Sequence, residues 1–177
     1  MALIELNNVI EGTIGPLRSA GAPSAGTNAV HTLTFAGTIG GGTFKIGING
    51  EETAAISWSS TNATLVSNID AALEALASVG TGGVVTAVGT MTSGVGTITL
   101  AAGGNLAKLA GVSFSIEDDS LTGSGAEVTI EETTPGVTAT HRGCSIGALC
   151  TDTTNGKLYI NTGTALAPTW TVVGAQS

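Results

Sequence analysis

Four side chains able to do chemistry stand near one another late in the sequence: His141, Cys144, Cys150 and Asp152. An imidazole, two thiolates and a carboxylate would suit zinc, which accepts nitrogen, sulfur and oxygen ligands. The spacing Cys-x5-Cys is not that of a zinc knuckle or ribbon, however. The same two cysteines could instead close a small disulfide loop or remain reduced packing thiols. Of the three readings, the spacing speaks most for reduced thiols.

The other groups able to act on a substrate are scattered. His31 falls in a strand-like pattern, where an ordinary surface imidazole is expected. Glu117-Asp118-Asp119 and Glu131-Glu132 are runs of acids. Calcium loops present oxygens at alternating positions so that they converge, whereas consecutive acids in extended chain diverge, so a solvated turn is expected. Glu51-Glu52 flank a hairpin turn with no base or nucleophile beside them. Gly37 to Gly42 has the gap of a phosphate-binding loop, but Thr43-Phe44 follows where Lys-Ser/Thr is required, and no Gly-x-Gly-x-x-Gly opens a helix. Asn62-Ala63-Thr64 matches a glycosylation acceptor but reads as a helix entry. Trp58, Tyr159 and Trp170 are the aromatic faces on which a sugar could stack. Trp58 is expected to point inward, leaving Tyr159 and Trp170, for which packing is the expected role. The sequence therefore assigns no catalytic residue, no cofactor and no metal ligand, and an enzyme is not expected.

Composition narrows the partners. The 177 residues are 42% hydrophobic but only 3% aromatic and 10% charged, with 27 glycines and a net charge of −8. Charged residues usually make up about 25% of a soluble domain. A surface so short of charge must rely on Thr, Ser, Asn and Gly or be hidden against neighbours. Arg18, Lys45, Lys108, Arg142 and Lys157 are the only basic residues, and they are dispersed. Nucleic acid is not an expected partner, since its binding rests on Lys and Arg displacing counterions, and an anionic membrane surface is disfavoured for the same reason. Mean hydropathy is +0.38. Glycines interrupt the uncharged run 75–107 too often for a spanning helix, which needs about 20 apolar residues in succession. The first residues lack the basic region of a secretory signal and carry Glu5 and Glu11,.

The elements that would position these side chains fall into three segments. Residues 1–28 read as an extended arm, punctuated by Gly12, Gly15-Pro16, Gly21, Pro23 and Gly26 yet apolar at Leu3, Ile4, Leu6, Val9, Ile10, Ile14 and Leu17. Such an arm packs on its own domain or on a neighbouring subunit, with disorder as the remaining reading. Residues 29–133 form an α+β module, mostly β, an antiparallel sheet with one covering helix. Leu33 and Phe35 belong to one strand. Phe44, Ile46 and Ile48 line another, which turns at Asn49-Gly50, a pair suited to a type I′ hairpin. Ala54, Ile56 and Trp58 are the expected inward face of the return strand. Thr61 or Asn62 caps a helix whose stripe is Leu65, Ile69, Leu73 and Leu76, and Gly80 ends it. Further strands are expected at 84–88, 95–100, 112–116 and 128–130, with a short helical turn near 105–109. Residues 134–177 form a C-terminal β-hairpin extension, 149–153 with 157–161 around Asn155-Gly156, followed by a strand at 170–173. So few short strands do not stand alone in water, and oligomerisation is the physical expectation.

Gly42-Thr43-Phe44, Asn49-Gly50, Thr53-Ala54-Ala55-Ile56, Asn62-Ala63 and residues 71–76 together resemble a module of tailed-bacteriophage virion proteins. Thr151-Asp152, Gly156 through Gly163, and Pro168-Thr169-Trp170 look like endings of phage head- and tail-fibre proteins. The resemblance covers about half the chain. It implies a structural protein of the virion, assembled in the host cytoplasm, commonly trimeric and without cofactor. The role implied first is a capsid decoration (cement) protein on the shell exterior, with the major capsid protein or another virion protein as partner. The alternative is a fibre or receptor-binding module of head or tail.

Overall fold

The computed structural model describes residues 16–174. The greater part of the expected N-terminal arm, residues 1–15, lies outside the described residues. The chain is mostly β, with antiparallel sheets and, among the described residues, one α-helix. It divides into two compact units, Gly26–Ala139 and the two ends of the chain, up to Ala25 and from Thr140 onward.

The larger unit is built on two long strands. β2 (Val30–Ile48) and β7 (Phe114–Thr134) pair antiparallel over their whole lengths. The ladder begins at Val30↔Thr134 and ends at Ile48↔Phe114, with register shifts at four places. The sequence reads four separate strands here, because Gly37, Gly40, Gly41, Gly42, Gly123 and Gly125 look like punctuation. Instead the ribbon turns a corner at those glycines. The rings of Phe35 and Phe44 meet edge-to-face at 5.2 Å, although nine extended residues span about 30 Å. On β7, Asp119 Oδ2 accepts the Val128 N–H at 3.0 Å across the same bend. The glycines at the corner are there for close approach. A Cβ on Gly37, at φ +81°, would overlap the Gly125 carbonyl, and one on Gly123, at φ +134°, would overlap that of Thr38.

Each half of the bent ribbon gains neighbours. Residues 30–35 of β2 also pair with β6 (Val95–Ala102), and β6 pairs with β5 (Val84–Thr92). Beyond the corner, β2 pairs with β3 (Glu51–Glu52) and β4 (Ile56–Ser57). Asn49 and Gly50, at φ 51° and 88°, make the expected tight turn. The return strand is split, and Ala54 is exposed, not inward. Thr53 is buried in its place because its Oγ1 accepts the Ile46 N–H at 3.0 Å.

The helix α1 (Asn62–Glu74) closes the open side between β4 and β5. Asn68 Nδ2 donates to the Ser57 carbonyl, and Thr86 Oγ1 donates to Asp70. Leu65, Ile69 and Leu73 are fully buried, as their spacing requires. Burying each contributes about 1.5–3 kcal/mol. Leu76 is half-buried beyond the helix end, and Gly80 (φ 66°) terminates the turn after it, donating to the Leu76 carbonyl. The expected cap does not form. Thr61 makes no side-chain capping bond, and Asn62 spends its amide on the Met91 carbonyl and the Gly94 N–H. The helical turn near 105 is a 3-10 turn, Gly104–Leu106.

The smaller unit is a four-stranded sheet ordered β1-β8-β9-β10. β8 (Leu149–Asp152) and β9 (Lys157–Asn161) form the expected hairpin, and β10 (Trp170–Val172) pairs antiparallel with β9. The hairpin loop takes four residues, with Gly156 alone of the Asn-Gly pair at positive φ. β1 (Leu17–Ser19), from the start of the chain, pairs parallel with β8.

Candidate interaction surfaces

The late cluster of reactive types is built into the small sheet as structure. Asp152 is fully buried. Its Oδ2 accepts the Asn155 side-chain amide at 2.7 Å, and its Oδ1 accepts the N–H groups of Gly21, Thr154 and Asn155 at 2.9–3.1 Å. The Asn155 amide, with those backbone donors, holds the carboxyl below the usual range against the opposing effect of burial,. Four donors on one carboxylate make a loop clamp. Asp152 also draws the first residues of the described chain to the C-terminal hairpin, because Gly21 is one of its donors.

The remaining three members have separate partners. His141 Nε2 lies 2.9 Å from the Arg18 carbonyl, and its ring meets Trp170 edge-on at 6.2 Å. Cys150 is buried, with its thiol 3.6 Å from Ser19 Oγ. Cys144 is half-buried, and burial pushes its thiol up, which lowers its thiolate fraction and its reactivity. Both cysteines are free thiols, and no group of three or more metal-ligating side chains is gathered among the described residues. Asn161 is buried and fully used. Its amide donates to the Cys144 and Ser145 carbonyls, while its Oδ1 accepts from Gly163 and Thr169.

The two C-terminal aromatics do not form an open stacking platform. Trp170 is half-buried, and its indole N–H donates to the Thr140 carbonyl at 3.0 Å. Tyr159 lies on the same packed face, opposite Cys150 on one side and Val172 on the other. Trp58 is half-buried, with Nε1 bonded to the Gly94 carbonyl. Glu51 accepts both the hydroxyl and the N–H of Ser78, the hydroxyl first among the causes that lower its pKa. Glu52 pairs with Lys45 at 2.8 Å. These two carboxylates are tied separately, so nothing brings them together as an acid–base pair.

His31 departs from its expected surface position, being only 2% exposed. Its ring packs edge-on against Phe114 at 4.8 Å, and Nδ1 has no hydrogen-bond partner among the described residues. Burial lowers its pKa, and Glu132, directly across the ladder, opposes that shift. The overlooked signal was parity. His31, Leu33 and Phe35 stand two apart on one strand and share one face.

The acid runs are likewise not turns. Glu117, Asp118, Asp119, Glu127, Glu131 and Glu132 all lie within β7. Among the described residues β7 pairs only with β2, so its other edge carries no strand along 21 residues. Acids on such an edge discourage indiscriminate strand addition. Charge is unevenly shared as a result. The larger unit has ten carboxylates against Lys45 and Lys108, so all of the net charge of −8 resides there. The smaller unit balances Glu5, Glu11 and Asp152 with Arg18, Arg142 and Lys157.

The small sheet has a second, outer face. Burial alternates along β8, with Cys150 and Asp152 inside and Leu149 41% exposed. Leu149 stands directly across from Ile160, and Thr151 from Leu158. Ile160 and Leu158 are half-buried, and Val173, whose N–H donates to the Leu158 carbonyl, is 37% exposed. Arg18 shares this face through its register with Thr151. No carboxylate of the four strands lies on it. No described helix is long and apolar enough to cross a membrane.

No protein-family model matches the sequence, and no curated protein does. A solved structure from Mycobacterium phage Patience is similar at a TM-score of 0.41 and 14% identity, over 89% of this chain and 50% of that one. The chain thus spans about half the length of that protein, and a likeness this loose carries no argument about function.

Proposed function

We propose that this chain is a structural protein of a tailed-phage virion, a capsid decoration (cement) protein that binds the outside of the shell as a homotrimer. The observation that carries the reading is the strand–Asn49-Gly50–strand–helix module, whose residues resemble those of virion proteins and whose elements are tied together by their own side chains. Its polar side chains are consumed by the scaffold: Thr53, Asn62, Asn68 and Asp70 each tie one element to another. Two surfaces remain suited to neighbours, the unpaired edge of β7 and the apolar outer face of the small sheet. The partners are the major capsid protein, or another virion protein, and further copies of the chain. The role calls for no cofactor, metal, nucleic acid or membrane, and the protein is not an enzyme in this reading.

The test is reconstitution. Purified protein is titrated onto capsids that lack it, and occupancy and the melting temperature of the shell are measured. Saturable binding with a raised shell melting temperature is the expected result. Absence of saturable binding overturns the decoration role. Light scattering on the free protein addresses the trimer separately.

A further inference from the structure

We infer that Asn49 is a site of spontaneous deamidation and that the fold withholds the same reaction from Asn155. Both asparagines stand before a glycine, Gly50 and Gly156, and all four residues are exposed. Glycine, with no Cβ, hinders attack by its own amide nitrogen least. Sequence and exposure therefore rank the two pairs alike. Hydrogen bonding separates them.

The glycine N–H must lose its proton to hydroxide, its nitrogen must reach the asparagine Cγ, and the side-chain amide must be free to leave. At Asn49 these steps are unhindered among the described residues. The Gly50 N–H makes no hydrogen bond to them, and open space surrounds the position. The Asn49 side chain has one contact, its Oδ1 accepting the Ser113 N–H at 3.4 Å, beyond the usual length of such a bond. That contact leaves Nδ2 untouched and draws electrons from Cγ. The neighbouring acids are engaged elsewhere, Glu51 by Ser78 and Glu52 by Lys45. At Asn155 the attacking and leaving groups are both tied. The Gly156 N–H donates to the Asp152 carbonyl at 2.9 Å, and Asn155 Nδ2 donates to Asp152 Oδ2 at 2.7 Å. The Asp152 carboxylate also opposes the negative charge that builds as Gly156 loses its proton.

The reaction needs only hydroxide and water. Attack by the Gly50 nitrogen forms an N–Cγ bond, the Cγ–Nδ2 bond breaks, and ammonia leaves with the proton. Water then opens the cyclic imide, at one carbonyl to aspartate and at the other to isoaspartate. Isoaspartate inserts a methylene into the main chain at the turn that sets the Ile48↔Glu51 register. The inference goes beyond the virion role and does not depend on it, so failure of capsid binding would leave it standing.

Ageing of the native full-length protein in mildly alkaline buffer, beside a sample unfolded in urea, tests it. Trypsin with a glutamate-specific protease releases residues 46–51 and residues 143–157, each holding a single asparagine. Mass spectrometry then reads the conversion of each peptide against an unaged digest. The urea sample supplies the ratio of the two rates set by sequence alone. In the native protein the ratio of Asn49 to Asn155 should exceed that reference by at least about tenfold, because Asn155 must first break two hydrogen bonds, one of them to a carboxylate. A smaller excess, or Asn155 converting the faster, would overturn the inference. So would a native Asn49 that stays intact while the unfolded sample converts.

Discussion

At the scale of single residues, two buried polar side chains behave in opposite ways. His31 packs its imidazole edge-on against Phe114, its Nδ1 has no hydrogen-bond partner among the described residues, and burial lowers its pKa. The fold therefore prefers the neutral ring, so His31's contribution is complete above its ordinary value of about 6.5 and is lost as pH falls through the lowered value. Glu132 opposes the effect from across the ladder, while Leu100 across the other ladder and the Phe114 ring are apolar. His31→Leu should flatten the fall in melting temperature between pH 7 and pH 5 and should not lower it at pH 7. A lower melting temperature at pH 7 would mean that Nδ1 has a partner in solution. Asn161, by contrast, satisfies two carbonyls and two N–H groups at once. Asn161→Ala removes the partner of four part-buried backbone groups at once, and a loss of about 1–3 kcal/mol is expected, read by urea denaturation. Asp152 was legible as a candidate ligand beside the two cysteines but not as a clamp, because one of its donors, Gly21, lies 131 residues away.

At the scale of elements, one turn and one helical stripe appeared as read. The Asn49-Gly50 turn and the Leu65, Ile69, Leu73 stripe follow from turn geometry and helical period, which act within a few residues. The helix cap did not form: Thr61 makes no side-chain capping bond, and Asn62 has a tertiary use for its amide. The ribbon of β2 and β7 was hidden by its own glycines. Glycine inside a strand pattern marks either a break or a close approach of backbones, and here it marks the close approach. Gly37→Ala sets a side chain against the Gly125 carbonyl at a positive φ. Left-handed strain alone costs about 1–3 kcal/mol, so at least that loss is expected in thermal or urea unfolding. Gly50→Ala, which has open space around its Cβ, bears only the conformational strain and should cost less. Equal losses at the two positions would show that the corner is not the close contact described.

At the scale of the whole molecule, the chain passes between its two units twice, near residues 25 and 140. The unit Gly26–Ala139 is continuous in sequence and holds every residue of the principal core cluster. A chain cut to residues 26–139 should therefore fold alone with a single cooperative thermal transition, while residues 140–177 alone should not. The second lacks β1, which supplies an edge strand and a donor to Asp152. A featureless near-ultraviolet spectrum from residues 26–139 would refute the division. By itself the sequence determined the β-rich class, the hairpins, the helix and its buried face, and the shortage of charge that points toward neighbours. Those properties depend on local period, turn chemistry and composition. Only the tertiary structure decided that β2 and β7 form one bent ribbon and that the first described strand pairs with a strand more than 130 residues later. Such pairings join segments whose local patterns are satisfied by many partners, so the choice is made by which surfaces the fold brings together.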